Sequence, residues 1–167
     1  AQIIRLLKMP DGTSTVIIQG KRRFEVVEPI KTEPYLSAKI DLLEETKFDP
    51  ENKEMSVMVK SIKELALQII QESPNIPSEA SFAIGNIESP TFLVNFISSN
   101  MNADVSMKQD MLEQLDMKKR IMMVMEHLTA EVQMLEMRNE IQSKVRKDMD
   151  RQQREYFLHQ QMLTIQN

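Results

Sequence analysis

The chain has 167 residues, of which 41% are hydrophobic and 28% charged, with a formal net charge of −4, 14 Met, 3 Gly and neither Cys nor Trp. That length allows one domain or two small units, and the composition is that of a folded chain, not a disordered one. The charge supplies no global basic field for nucleic acid, and the lack of Cys excludes disulfides and thiolate metal sites. No apolar run reaches the roughly 20 residues of a membrane helix, so a soluble, cytoplasmic protein without membrane contact is expected.

Residues 1–48 read as a partial antiparallel β unit. Ile3, Ile4, Leu6 and Leu7 follow Ala1 at once, so the chain opens inside an apolar run; Leu163 to Asn167 stop in mid-pattern, and the whole reads as a fragment cut at both ends. Pro10-Asp11-Gly12 is a turn signal, and the β-branched run Thr15 to Gln19 completes a hairpin. Phe24, Val26 and Val27 form the next strand, ending at Pro29. A fourth strand opens at Pro34-Tyr35, with Leu36, Ala38, Ile40 and Leu42 alternating against Ser37, Lys39 and Asp41, which predicts one buried and one wet face. Four strands cannot close a barrel, and the unprotected first edge implies earlier strands that this chain lacks.

Residues 49–116 read as a helical bundle. Asp49-Pro50 suits a helix start, and Met55, Val59, Ile62, Leu65, Ala66, Ile69 and Ile70 form one apolar stripe that ends at Pro74 and Pro77. Two short helices follow, at Ser78 to Ile87 and Pro90 to Ser98, the second packing Phe92, Leu93, Phe96 and Ile97 inward. Ser106 and Gln109 have capping-box spacing, with Met107, Met111, Leu112 and Leu115 as the buried side of a further helix.

Residues 117–167 contain no Pro and no Gly, which permits one continuous helix of roughly 70 Å. Ile121, Met125, Leu128, Val132 and Leu135 have heptad spacing, and the register then fails at Asn139, Gln142 and Arg146. Ile141, Val145 and Met149 make an offset stripe on an otherwise solvated distal half, supported by pairs such as Glu140 with Lys144 and Asp150 with Arg154.

Chemistry finds no foothold in these patterns. Gly12, Gly20 and Gly85 are isolated, so no phosphate-binding loop can form. His127 and His159 fall about 48 Å apart along one helix, too far to share a metal. No Ser-x-x-Lys spacing is present, and no pair among the 25 acids, Glu44 and Glu45 included, stands out from solvated surface. No catalytic, cofactor-binding or metal-binding residue is therefore assigned.

Two features exceed their bland explanations. Ten of the 14 Met lie between Met101 and Met149, and Met122, Met123 and Met125 cannot all face one side. Met fills irregular core gaps, but it also builds adaptable apolar surfaces for varied partners, so Met111, Met122, Met123, Met125, Met134 and Met137 are candidates for a substrate or partner surface. Lys144, Arg146, Lys147, Arg151 and Arg154 form a basic cluster diluted by Asp148 and Asp150, which allows weak nucleic-acid contact at most.

Gln153-Arg154-Glu155-Tyr156-Phe157-Leu158 with Gln160 and Gln161, then Ile165-Gln166, resembles the segment just ahead of the ATPase module in Lon proteases. Pro10-Asp11-Gly12-Thr13, Val16-Ile17-Ile18-Gln19-Gly20, Arg23-Phe24 and Pro34-Tyr35-Leu36 with Ala38 resemble the second half of the Lon N-terminal β domain. Lys108-Gln109-Asp110-Met111-Leu112-Glu113 resembles the stretch before the long Lon helix. The resemblance implies an α+β fold: a partial, PUA-like β unit whose first strands are missing, then a helical bundle and one very long helix. It also implies a hexameric, ATP- and Mg-dependent serine protease as parent, with ATP site and Ser/Lys pair beyond Asn167 and no cofactor within the fragment. The fragment would recognise unfolded or misfolded proteins and associate with other copies of itself. Arg154, Tyr156, Phe157 and Leu158 would couple it to the motor. A self-associating coiled-coil scaffold without substrate binding is the alternative.

Overall fold

A computed structural model describes residues 1–165; the Gln166 of the Ile165-Gln166 match and Asn167 lie outside the described residues. The fold is α+β. Strands β1 (Gln2–Lys8), β2 (Ser14–Gln19), β3 (Phe24–Lys31) and β4 (Ser37–Leu42) precede helices α1 (Lys53–Glu72), α2 (Glu79–Gly85), α3 (Pro90–Asn100), α4 (Val105–Glu113) and α5 (Met117–Ile165). The chain divides into two compact units, Ala1–Lys47 with Ala103–Arg120, and Phe48–Asn102 with the chain from Ile121 onward. The sequence pattern groups residues 103–116 with the bundle, whereas their contacts group them with the strands.

In the first unit, β1 pairs antiparallel with β2 and β3 with β4, as two separate two-stranded sheets. The β1–β2 turn follows its residues. Gly12 adopts φ 85°, which a side chain would strain, and the Asp11 carboxylate accepts from the backbone N–H and hydroxyl of Thr13 at 2.9 and 2.6 Å. β3 does not end at Pro29 but runs on to Lys31; the register shifts between Pro29 and Lys31, the kind of irregularity at which a strand accommodates Pro. The expected buried face of β4 is absent: Leu36, Ile40 and Leu42 are all exposed, as are the apolar residues of β1 to β3. Two strands per sheet have no second layer to cover either face within these residues.

In the second unit, α1 starts later than Asp49-Pro50 suggests. The Asn52 side chain caps it by accepting from the Met55 N–H at 3.1 Å, and Asp49 instead accepts from the Glu51 N–H in the preceding turn. The helix buries Met55, Met58, Val59, Ile62, Ala66, Ile69 and Ile70 along one stripe. It stops at Ser73, held extended by Pro74. Ser89 caps α3 with Pro90 in its first turn, and Leu93, Val94 and Ile97 are buried. Phe92, expected inside, is 47% exposed, since Val94 takes the inward position. Lys63 donates to the carbonyls of Gly85 and Ile87 at 2.9 and 3.3 Å, tying α1 to the C-terminal end of α2.

The proximal part of α5 completes this core. Ile121, Val124, Leu128, Val132 and Leu135 are buried, each apolar side chain contributing about 1.5–3 kcal/mol. Val124 replaces Met125 in the expected seam, and Met125 is half-buried. Gln68 of α1 donates to Glu136 at 3.2 Å, where the buried stretch ends. From Glu136 to Ile165 every residue is exposed, about 45 Å of helix.

Candidate functional site

The most tightly built group of polar side chains lies within the first unit, where β3, β4 and the segment after β4 meet the α4–α5 turn. Glu45 places one carboxylate oxygen 2.9 Å from Arg23 Nε and 2.9 Å from Arg120 Nη2. Arg23 also donates to the carbonyls of Met111 and Leu112, and Arg120 to that of Gln114. These are the acceptors left over at the end of α4, so both guanidinium groups meet the negative end of a helix dipole as well as a carboxylate. Arg120 is completely buried. Burial, and then the neighbouring Arg120, lower the pKa of Arg23, an effect that Glu45 opposes.

Thr46 performs the complementary task for α5. Its N–H donates to Leu115 O at 3.0 Å, and its hydroxyl accepts from the Met117 N–H at 2.8 Å, filling one of the orphan donors at the helix start. Asp116 accepts from the Lys119 N–H at 3.1 Å and fills another. Ser106, expected to cap α4, lies inside that helix; Asp104 is the cap and accepts from the Met107 N–H at 2.8 Å. With the register so set, Met111 is buried while Met107 and Leu112 are exposed.

The six candidate Met do not form one surface. Met111 is 2% exposed and belongs to the core of the first unit. Met123 and Met125 are half-buried on α5, whereas Met122, Met134 and Met137 are exposed. Met134 and Met137 begin a stripe that continues at three- and four-residue steps through Ile141, Val145 and Met149, and then at seven-residue steps through Tyr156 and Leu163, all exposed. Tyr156, Phe157 and Leu158 are exposed too, but as consecutive residues they project in three directions around the helix, and Arg154 is exposed one turn before Leu158. Within the basic cluster nearby, Arg151 lies 3.6 Å from Asp148 and 4.0 Å from Glu155.

The sheets add to the apolar exposure. Ile3 and Leu6 on β1, Ile18 on β2, Val26 on β3 and Leu36 before β4 all lie open, Leu36 at 82%. His127 has a structural partner, its Nε2 lying 2.8 Å from Asn102 O at the end of the α3 segment. Among the described residues, no three His, Cys, Asp or Glu are placed to hold a metal ion. No helix there is long and apolar enough to cross a membrane.

Residues 1–130 match the family model of the ATP-dependent protease La (LON) substrate-binding domain. The chain belongs to the Lon substrate-binding domain family. It is 56% identical over 166 residues to a Lon protease of Flavobacterium johnsoniae, an alignment covering 99% of this chain and 20% of that protein. To a Lon protease of Cytophaga hutchinsonii it is 43% identical over 167 residues, covering 100% of this chain and 20% of that one. The chain thus spans about a fifth of the length of the curated Lon relatives it matches. Among solved structures, the N terminal domain of a Mycobacterium avium complex Lon protease superposes with a TM-score of 0.60 at 16% identity, covering 77% of this chain and 67% of that one. That likeness shows the fold, small antiparallel sheets followed by helices. The Lon family match ends at residue 130, so the exposed distal part of α5 lies outside it, although the alignments to the Lon relatives include it.

Sequence reasoning missed the Arg23–Glu45–Arg120 group. In the sequence, Arg23 stands out only as part of a motif, and Glu45 reads as solvated surface. One signal was available: Arg120 lies one residue before the apolar seam at Ile121, where a charged residue facing a core needs a buried partner.

Proposed function

We propose that this chain is the substrate-recognition and oligomerisation region of a cytoplasmic, ATP-dependent Lon serine protease that degrades misfolded and regulatory proteins, and that it performs no chemistry itself. The observation that carries this reading is the open apolar surface of the four strands within residues matched by the substrate-binding family. An unfolded polypeptide presents apolar side chains with no fixed shape. A surface of Ile, Leu and Val side chains recognises them by burial and not by a specific polar pattern. The distal part of α5 would lead to the motor, with Arg154, Tyr156, Phe157 and Leu158 in its coupling segment.

Titrating the chain with a fluorescent polypeptide, once permanently unfolded and once native, tests the proposal. The unfolded form should bind at least about tenfold more tightly, a difference of about 1.4 kcal/mol. Equal affinities would remove the recognition role.

The exposed stripe from Met134 to Leu163 favours a second reading, a scaffold whose long helix pairs with another copy. Truncation after Arg138 would then abolish self-association in light scattering and leave polypeptide binding unchanged. A full-length chain that stays monomeric at high concentration would contradict it.

A further inference from the structure

We infer that Met134, Met137 and Met149 form an oxidation site on α5, where peroxide turns the apolar stripe polar and reduction of the sulfoxides restores it. The chain has no Cys, so thioethers are its only sulfur groups. They divide sharply by place. Met55, Met58 and Met101, in the core of the helical unit, are at most 8% exposed, whereas Met134, Met137 and Met149 are at least 57% exposed. The exposed three also share a face. With Ile141 and Val145 they are the first five apolar positions of the stripe, so Met supplies three of the five.

Hydrogen peroxide is the one co-reactant the step needs. A sulfur lone pair attacks a peroxide oxygen, the S–O bond forms as the O–O bond breaks, and the leaving hydroxide takes the proton of the transferred oxygen to give water. Sulfur loses two electrons and the peroxide gains them. The product is a sulfoxide, a polar hydrogen-bond acceptor in place of an apolar side chain, and access to the sulfur governs where it forms. Three sulfoxides leave only Ile141 and Val145 apolar over this length of the stripe. None of the three Met is buried, so the core keeps its packing. In the reading where the stripe pairs with another copy, oxidation would separate the copies. That consequence rests on the pairing reading; the oxidation site does not.

Treating the 167-residue chain with hydrogen peroxide at low protein concentration, and mapping the sulfoxides by peptide mass spectrometry, tests the site. Met134, Met137 and Met149 should be oxidised at least roughly tenfold faster than Met55, Met58 and Met101. Retention on a hydrophobic-interaction column should fall, and should return after treatment with methionine sulfoxide reductases. The triple variant Met134→Leu, Met137→Leu, Met149→Leu should keep most of its retention in peroxide; Leu matches Met in helix propensity, so its helix is preserved. Met162→Leu, exposed but one residue off the stripe at Leu163, should lose retention as the parent does. Equal oxidation rates for exposed and buried Met, or a triple variant that loses as much retention as the parent, would overturn the inference. Light scattering separates it from the pairing reading. A parent chain that is monomeric before oxidation removes pairing alone, and the site then stands or falls on the sulfoxide map and the retention; copies that stay together with all three Met oxidised overturn the switch.

Discussion

The backbone N–H of Met117 donates to the hydroxyl of Thr46 at 2.8 Å, although 71 residues separate the two in sequence. The longest helix of the chain is thus capped partly by a residue that follows the last strand. Replacing Thr46 by Val keeps the shape but removes the acceptor, and should cost about 1 kcal/mol, within the usual range for a lost cap. Thermal denaturation by circular dichroism would show this as a midpoint lowered by a few degrees. An unchanged midpoint would mean that Asp116 alone suffices.

The two halves of α5 should respond very differently to truncation of their side chains. Leu128→Ala removes a buried side chain and should destabilise by about 2–5 kcal/mol. Ile141→Ala, on the exposed stretch, should fall within about 0.5 kcal/mol of the parent chain. Urea titrations of both variants make the comparison, and comparable losses would show that the distal stripe is packed in solution.

Lys63 is the polar tie between α1 and the end of α2. Lys63→Met retains the aliphatic stem but not the donors, so the expected loss is about 0.5–1.5 kcal/mol. The change should be local. Faster amide exchange at Asn86 and Ile87, with Ile121 unaffected, is the expected pattern; uniform acceleration would argue against it.

Glu131 supplies a pH dependence with a definite sign. Burial raises its carboxyl pKa, and His127 opposes that rise. The folded state therefore holds the proton more tightly than the unfolded state, so this group favours folding at low pH and loses that contribution as pH rises through its folded pKa. Glu131→Gln should accordingly be more stable than the parent at pH 7, with the advantage shrinking as the pH falls through the raised folded pKa and gone below the ordinary carboxylate range. Urea midpoints at pH 7 and pH 4 measure it, and a variant less stable at pH 7 would contradict the assignment.

Much of the helical half was legible because its signals are local. Pro and Gly punctuate α1 to α3, apolar residues recur every three or four positions, and nothing interrupts the chain after Asp116. The caps were less legible. Ser106 has the spacing of a cap, but the extended backbone lies at Asp104, where α4 starts. The Met-rich surface was legible as composition but not as place: which of Met111, Met122 and Met134 is buried depends on the neighbours that each helix meets.

By itself, the sequence determined the order of strands and helices, the length of α5, and the solvated character of its distal half. All of these follow from interactions among residues within a few positions of one another. Only the tertiary structure decided that Glu45, one acid among 25, joins Arg23 to Arg120, 75 residues beyond Glu45, and that residues 103–120 group with the strands. Such contacts have no period to read. They arise where orphaned helix ends and buried charges find distant partners, and the driving force is the cost of leaving those groups unpaired.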